Sequence, residues 1–214
     1  MTSREYPALP RGRHRLSRED VRLAQRDKLL LGMADAVSEK GFAKTTVADV
    51  LRRAHVSRET FYQQFSDKED CFLATLDRCA DLVLSMVAAA VAPLADASTF
   101  DRFTRALSRY LAALVDQWPV TRTFFLECYA AGPVARERRF AAQDRFAQAL
   151  HAGFSPDPAW RALPDPEFAA RFLAAGLSSL VAGAVSADEP ERLATLHAPV
   201  TDLVRHLLGR DPLS

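Results

Sequence analysis

The chain has few of the features that mark disulfide-stabilised, metal-binding or catalytic proteins. Its 214 residues include only three cysteines and eight glycines. An odd number of cysteines without paired spacing argues against a disulfide framework and fits a reducing cytoplasm. The chain contains no CxxC or HExxH pair, no GxSxG, no P-loop and no GxGxxG after a strand, so we expect no metal, no cofactor and no catalytic residues.

Long apolar runs and strand patterns are also missing. The longest apolar runs are far shorter than the roughly 20 residues of a membrane span, and the basic N-terminus lacks the apolar segment of a signal peptide. No segment alternates apolar and polar residues over a strand's length. Because 49% of the residues are hydrophobic, we expect a globular protein with a substantial core. The missing strand, membrane-span and signal-peptide patterns predict an all-α, cytoplasmic protein with no membrane partner.

Positive charge is concentrated near the N-terminus. Residues 1–70 carry 14 Lys and Arg against 11 Asp and Glu, whereas residues 71–214 carry 14 against 16. Residues 1–16 are predicted to be a flexible basic arm with Arg11, Arg13 and Arg15. Such arms enter the minor groove of DNA or lie along phosphates; the alternative is a charged tail without ordered contacts.

The segment 45–68 is the most informative part of the chain. Thr46 and Asp49 have the spacing of a capping box and predict a short helix that ends at residues 54–55. Ser57 predicts the start of a second helix directly after a tight turn. Two short helices joined in this way indicate a helix-turn-helix, with residues 57–65 as the recognition helix.

The second of these helices carries side chains suited to DNA. Its apolar face consists of Phe61 and Phe65, and the residues between and before them are mostly Arg, Thr, Tyr and Gln. These side chains donate hydrogen bonds to phosphates, and Arg and Gln also bind base edges in the major groove. The alternative interpretation is an ordinary solvated helix face.

These motifs resemble the DNA-binding domain of the TetR family of transcriptional regulators. The matching residues are KGF at 40–42, TTVADV at 45–50, VSRETFYQQF at 56–65 and DKEDCF at 67–72. The chain departs from the family at His55, where the turn usually has glycine; His tolerates a positive φ better than most other residues. The resemblance implies an N-terminal helix-turn-helix domain at 17–66 and a larger C-terminal domain at 67–214 for ligand binding and dimerisation.

The resemblance also implies which residues contact DNA. Hydroxyls and helix N-terminal amides at residues 45 and 46 would bind one phosphate. Three side chains of the recognition helix, at residues 58, 60 and 64, would face base edges, while those at 62 and 68 would bind phosphates. The residues expected to contact DNA, apart from the arm, are Thr45, Thr46, Arg58, Glu59, Thr60, Tyr62, Gln63, Gln64 and Lys68.

Capping and breaking signals predict the remaining helices. Ser17 and Asp20 form a capping box for a first helix that Gly41 ends, and Ser66 with Glu69 forms another. A Pro-rich surface loop is expected at 153–166. The predicted helices after the helix-turn-helix span residues 67–91, 99–117, 119–130, 133–152, 166–186 and 190–208.

Apolar and aromatic side chains recur at helical spacing in the middle of the chain. The resemblance implies a small-molecule cavity among these helices, although aromatic residues at such spacing are more often core. Arg122, Glu127 and Asp144 could orient a polar ligand or could be surface charges. The expected ligand-binding residues are Met86, Tyr110, Leu114, Trp118, Phe124, Phe125, Cys128 and Tyr129.

The last two predicted helices carry small and apolar residues on one face. In the resembled family, these helices pair with their symmetry mates as a four-helix bundle; the alternative is packing within one subunit. The expected interface residues are Phe168, Phe172, Gly176, Ser179, Gly183, Leu193, Leu196, Val200 and Leu203.

The expected function is that of a homodimeric repressor. It would bind a palindromic operator in double-stranded DNA and leave it when an apolar or aromatic small molecule binds. A ligand-independent or protein-controlled regulator is one alternative. A small helical enzyme or carrier is a second, which the lack of a clustered acid, base or nucleophile disfavours.

Overall fold

The computed structural model describes residues 17–209, and within that range all regular secondary structure is helical. This confirms the predicted all-α class. The chain divides into two compact units, Met1–Thr75 and Leu76–Ser214. The helices are α1 Arg18–Lys40, α2 Val47–Ala54, α3 Arg58–Gln64, α4 Lys68–Val91, α5 Thr99–Asp116, α6 Trp118–Arg122, α7 Cys128–Ala130, α8 Pro133–Phe154, α9 Pro158–Arg161, α10 Pro166–Ala187, α11 Arg192–Thr195 and α12 His197–Leu207.

Helix α1 begins with the predicted capping box. The Ser17 side chain accepts a hydrogen bond from the Asp20 amide, and the Asp20 carboxylate accepts one from the Ser17 amide. Gly41 ends α1 with φ 82°, a value that glycine adopts without strain. Arg11, Arg13 and Arg15 of the predicted arm lie outside the described residues.

The close approach of α1 to α2 depends on Gly32. A Cβ atom at this position would lie 3.1 Å from both the Ala54 nitrogen and the Val50 oxygen. Both are backbone atoms, which cannot rotate away as the end of a side chain can. The absence of a side chain at residue 32 therefore lets the two helices pack at this distance.

The turn between α2 and α3 has the conformation that its sequence predicts. His55 ends α2 in the left-handed region, with φ 52° and ψ 45°. Ser57 then caps α3 by accepting a hydrogen bond from the Thr60 amide at 3.1 Å. Phe61 and Phe65 are buried, so the predicted apolar face of α3 is confirmed.

The start of α4 differs by one residue from the prediction. Asp67, rather than Ser66, accepts from the Asp70 amide at 2.8 Å, and the Ser66 amide donates to the Asp70 carboxylate at 3.0 Å. The prediction chose Ser66 because Glu69, three residues later, completes a capping-box pattern, but Asp is as good a cap as Ser. The predicted domain boundary at residue 67 lies just before α4, whereas the two compact units divide inside this helix.

The second unit contains the predicted helices, with three local departures. The segment 119–130 is interrupted by a π-helical stretch, Thr123–Glu127, between α6 and α7. The predicted loop at 153–166 contains α9, whose Trp160 is fully buried and stacks on Phe154 at 4.6 Å. It is therefore part of the core rather than only a surface connection.

The third departure is the division of 190–208 into α11 and α12. Pro199 lacks a backbone N–H, and its ring clashes with the carbonyl four residues before it. That carbonyl belongs to Thr195, where α11 ends. The first turn of α12 accommodates the proline, because amides there need no partner within the helix. Pro199 therefore prevents α12 from continuing back into α11.

The longest apolar helix of the second unit is α10. Its length and composition would be enough to cross a membrane, and about 28% of its most apolar window is buried. It packs against α8 on one side. A core helix of a water-soluble protein meets the same criteria of length and composition, so α10 alone is weak evidence for a membrane.

Candidate DNA-binding surface and ligand cavity

The solvent side of α3 presents a compact set of polar groups. Arg58 and Tyr62 are one helical turn apart and in contact, with the guanidinium carbon 5.7 Å from the ring centroid. Tyr62 is 50% exposed. On the neighbouring row, Gln63 donates to the Glu59 carboxylate at 3.3 Å. The buried phenylalanines hold the helix, and its opposite face remains available for DNA.

Three of the expected DNA contacts point into the unit instead. Thr45 is buried, and its hydroxyl donates to the Gly41 carbonyl at 2.8 Å. The Gln64 amide donates to the Arg22 carbonyl at 3.1 Å. Lys68 donates to the Phe42 carbonyl at 3.1 Å and lies 4.2 Å from that ring's centroid. In this conformation the three side chains hold helices together, so a phosphate or base contact would require them to leave these partners.

Two further expected contacts, the exposed cap of α2 and a half-buried residue in the first turn of α3, are threonines. Thr46 is exposed, and its hydroxyl donates to the Asp49 carboxylate at 2.6 Å. Thr60 shares a hydrogen bond of 2.9 Å with the Ser57 hydroxyl. The backbone amides of both residues also have partners, the Asp49 carboxylate for Thr46 and the Ser57 hydroxyl for Thr60. A phosphate contact from either residue would therefore require it to leave these local bonds.

Asp49 connects α2 to α1 through charge. It pairs with Lys40 across the two helices and with Arg52 at 3.0 Å within α2. The hydrogen bond from Lys40, followed by those from Thr46, holds the pKa of this carboxyl well below its usual range. The carboxylate therefore stays ionised at neutral pH and fixes the start of α2.

Lys44 is an exposed cation that the expected DNA contacts did not include. It lies in the turn between α1 and α2, two residues before the Thr46 cap. A lysine just before a helix N-terminus is a sequence signal for phosphate binding, because the cation and the free amides favour the same anion.

The second unit contains a partly open cavity of about 440 Å³, within the range of small-molecule sites. Residues of α4, α5, α8 and α10 and of the π-helical stretch form its wall. The wall is mostly aliphatic and aromatic, including Leu84, Val87, Phe103 and Phe146. A much smaller space of about 30 Å³ lies beside Leu114 and Val120.

The structure places only some of the expected ligand-binding residues on these walls. Tyr110, Phe124 and Phe125 line the large cavity, and Leu114 lines the small space. Neither wall includes the remaining four, which are Met86, Trp118, Cys128 and Tyr129.

Two of these four residues have a clear physical reason for lying elsewhere. The Trp118 indole donates to the Asp188 carboxylate at 3.0 Å, and the same oxygen accepts from Arg122 at 2.6 Å. Tyr129 is 52% exposed, and although its ring centroid lies 5.9 Å from the Arg139 guanidinium carbon, it does not line the cavity. Arg122 therefore serves an ion pair at the protein surface, as one of its two sequence interpretations held.

Arg139 of α8 is the cavity residue that no sequence signal singles out. Its side chain is only 4% exposed and lies on the cavity wall. It donates to the Ser178 hydroxyl at 2.8 Å and to the Gln143 side-chain oxygen at 3.3 Å. It stands in the run Arg136 to Arg139, where sequence alone cannot tell which arginine faces inward.

Tyr110 is a second polar group in the cavity wall. Burial raises the pKa of its phenol above the ordinary value, and the positive charge of Arg139 partly opposes this rise. The phenol therefore remains neutral through the physiological range and retains its O–H as a hydrogen-bond donor.

All three cysteines are buried thiols. Burial raises the pKa of Cys71 and of Cys79 to about 12 and that of Cys128 to about 11. A thiol that remains protonated at neutral pH is a poor nucleophile and a poor metal ligand.

An apolar face of α10 and α12 is open to solvent in the single chain. Phe168, Phe172 and Leu203 are 57%, 65% and 47% exposed. A Cβ atom added at Gly176 or at Gly183 would meet nothing within 4 Å.

The other expected interface residues differ in their exposure. Ser179 is exposed, and Leu196 and Val200 are half-buried. Leu193 is fully buried in the core of its own subunit, which leaves it unavailable to a second copy.

The fold and these two regions define the class of protein: a helix-turn-helix DNA-binding unit joined to a helical unit with an internal cavity. Residues 34–75 match the family described as bacterial regulatory proteins, tetR family. The expected resemblance to TetR-family transcriptional regulators is thereby confirmed. Among curated proteins, none matches the chain in sequence.

Solved structures of the same fold agree with this assignment. The fatty acid degradation regulator FadR of Bacillus halodurans is 17% identical with a TM-score of 0.71, over 86% of this chain and 94% of that one. FadR of Bacillus subtilis, in complex with stearoyl-CoA, is 16% identical with a TM-score of 0.69, over 86% and 98%. The regulatory protein TetR of Rhodobacter sphaeroides is 17% identical with a TM-score of 0.67, over 83% and 97%. The chain thus shares the fold of these transcriptional regulators over most of its length.

Proposed function

We propose that the protein is a homodimeric repressor that leaves a palindromic operator when a small, mostly apolar molecule fills its cavity. The observation that carries this proposal is the pairing of a DNA-binding helix-turn-helix with a cavity of about 440 Å³ in one chain. The complex of the Bacillus subtilis FadR with stearoyl-CoA supports a ligand-responsive role for the fold.

The open face of α10 and α12 supports the dimer. Its exposed phenylalanines and open glycines leave an apolar surface uncovered in the single chain, and burying the same surface of a second copy about a two-fold axis would cover it. Two recognition helices related by that axis would read half-sites about 34–36 Å apart, which requires an inverted repeat.

α4 provides a physical route from ligand to DNA. Leu84, Val87 and Val91 of this helix line the cavity, and the helix begins at Lys68 in the first unit. A ligand that binds more tightly to a conformation unsuited to DNA shifts the population toward that conformation. Each factor of ten in that preference corresponds to about 1.4 kcal/mol.

The experiment is a selection of DNA duplexes from a random pool by the purified full-length chain, followed by binding measurements with and without a small-molecule library. We expect enrichment of an inverted repeat and release of the selected duplex by at least one compound that also raises the melting temperature. Selection of unrelated or non-symmetric sequences would contradict the operator. Compounds that bind without changing the affinity for DNA would favour the ligand-independent regulator.

A further inference from the structure

A buried cation without a counter-ion stands in the cavity wall. The Arg139 guanidinium has two neutral partners, the Ser178 hydroxyl and the Gln143 amide oxygen. Its Nε is buried and has no hydrogen-bond partner. Among residues 17–209, no carboxylate forms an ion pair with it.

Two exposed arginines of the same helix, unlike Arg139, form ion pairs. Arg138 pairs with Asp77 at 2.6 Å, and Arg145 pairs with Asp81 at 2.5 Å. These two exposed arginines of α8 thus have carboxylate partners on α4, whereas the buried Arg139 has none among the described residues. Because an unpaired buried charge is costly, the arrangement is expected to persist only where something else supplies the opposite charge.

The charges of the cavity wall all have one sign. Arg139 and the half-buried Arg102 are its only charged side chains among the described residues, and it contains no Asp or Glu. The rings of Phe124 and Phe125 lie 5.8 Å and 5.1 Å from the Arg139 guanidinium carbon. These faces hold the guanidinium and stabilise it partly, but they do not replace an anion.

We propose that the cavity binds an apolar monocarboxylic acid whose carboxylate pairs with Arg139. The inference deepens the proposed function, since this acid would be the effector. The guanidinium presents parallel N–H donors that match the two oxygens of a carboxylate. The aliphatic and aromatic walls then bury the hydrocarbon body. Neutral and cationic analogues of the same shape would leave Arg139 unpaired.

The test measures binding to the full-length chain by calorimetry and by thermal shift. Its probes are decanoate, decanol, decylamine and 4-phenylbutyrate, with decanoyl-CoA as a second source of an anionic group on a hydrocarbon body. We expect an acid, aliphatic or aromatic, to bind at least about tenfold more tightly than decanol, as charged hydrogen bonds in dry sites do. Decylamine should bind most weakly.

Variants separate the charge from the packing. Arg139→Met should remove the preference for the acid over decanol, and Arg139→Lys should retain part of it. Arg138→Gln, which removes an arginine next in sequence but paired to Asp77, should leave the preference unchanged. Without ligand, Arg139→Met should be as stable as the wild type or more so, because it relieves an unpaired charge.

Several outcomes would overturn the inference. One is equal binding of decanoate and decanol. Another is that neither decanoate nor 4-phenylbutyrate binds, and a third is a preference for acid over decanol that survives in Arg139→Met. Tighter binding of decanoyl-CoA with the same dependence on Arg139 would overturn the free carboxylate in favour of the phosphates. If decanoate binds through Arg139 but leaves DNA affinity unchanged, the inference stands and the proposed ligand-released function fails.

Discussion

In the DNA-binding unit, charged side chains between helices have partners, whereas the C-terminal unit buries Arg139 without a carboxylate. Lys40 and Arg52 share Asp49, and Arg53 pairs with Glu39. The same contrast holds for space. Gly32 is enclosed by backbone atoms, whereas Gly153, Gly176 and Gly183 face nothing within 4 Å.

The two units therefore differ in what their proposed roles require of packing and charge pairing. A surface that reads DNA must hold its side chains in one geometry, so close packing and paired charges serve it. On the proposed function, the C-terminal unit binds a ligand and a second subunit, so part of its surface and charge would remain unpaired until those partners bind. The following predictions begin with the largest expected effect.

Gly176→Glu should abolish the proposed dimer while leaving each subunit folded. The open side of α10 has room for the side chain in the single chain, but a buried charge facing its own copy is strongly unfavourable. Light scattering gives the mass, and circular dichroism gives the helix content. Ala141→Glu, at an exposed position of α8, is the matched control and should stay dimeric. An unchanged mass for Gly176→Glu would remove α10 from the interface.

Gly32→Leu should destabilise the DNA-binding unit by about 3 kcal/mol, because overpacking forces α1 and α2 apart. Gly153→Leu, in α8 of the other unit, should leave the free energy of unfolding unchanged or raise it. A Cβ atom there meets nothing within 4 Å, and leucine has a higher helix propensity than glycine. Hydrogen exchange at increasing urea concentration measures the unfolding free energy of each unit separately. Equal losses in both variants would contradict the contrast in packing.

Arg58→Ala should weaken operator binding by about 1–3 kcal/mol and relax the preference at one base pair. Tyr62→Phe should weaken binding to all sequences alike, since a phosphate contact carries no base information. Fluorescence anisotropy with the selected duplex and its point variants measures both. A uniform loss for Arg58→Ala, or an altered sequence preference for Tyr62→Phe, would reverse the two assigned roles.

His55→Gly should stabilise the turn by about 0.5–1 kcal/mol, because glycine adopts a positive φ without strain. Asp188 is the matched residue of the other unit, with φ 57°. Asp188→Gly should bring no gain, since it removes the acceptor for Trp118 and Arg122. Thermal denaturation measures both, and a lower melting temperature for His55→Gly would show that the imidazole itself stabilises the turn.

Asp49→Asn should give the smallest effect, one that depends on pH. The pKa of the carboxyl is lowered in the folded protein, so its contribution is present above the unfolded value of about 3.9 and is lost as the pH falls through the folded value. The difference in unfolding free energy between wild type and variant should therefore narrow below about pH 4. A difference that stays constant between pH 3 and pH 7 would contradict this origin.

Local signals made much of the fold predictable. The caps at Ser17, Thr46 and Ser57 act within three residues. The positive φ of His55 agrees with the glycine that the resembled family usually has in this turn. The cap of α4 was misplaced by one residue because two adjacent side chains are good acceptors. The break at Leu196 depends on Pro199, whose effect on the preceding turn could have been recognised from sequence.

The site was less predictable because it depends on which way each side chain turns. Gln64 and Lys68 look like DNA contacts by position, yet both bind carbonyls of neighbouring segments. Trp118 and Tyr129 are aromatic residues of the kind that line cavities, but Trp118 binds a surface carboxylate and Tyr129 is half exposed, with its ring near Arg139. Arg139 resembles a surface arginine until α8 packs against α10, and only that packing selects it from its neighbours.

The three buried thiols give the protein internal reporters of motion. Cys71 belongs to the first unit, and Cys79 and Cys128 belong to the second. Because each is shielded and protonated in the native state, an alkylating reagent can reach it only when the surrounding helices open. The rate at each cysteine thus measures the local opening free energy of its own unit, and an effector that orders the second unit would slow Cys79 and Cys128 more than Cys71.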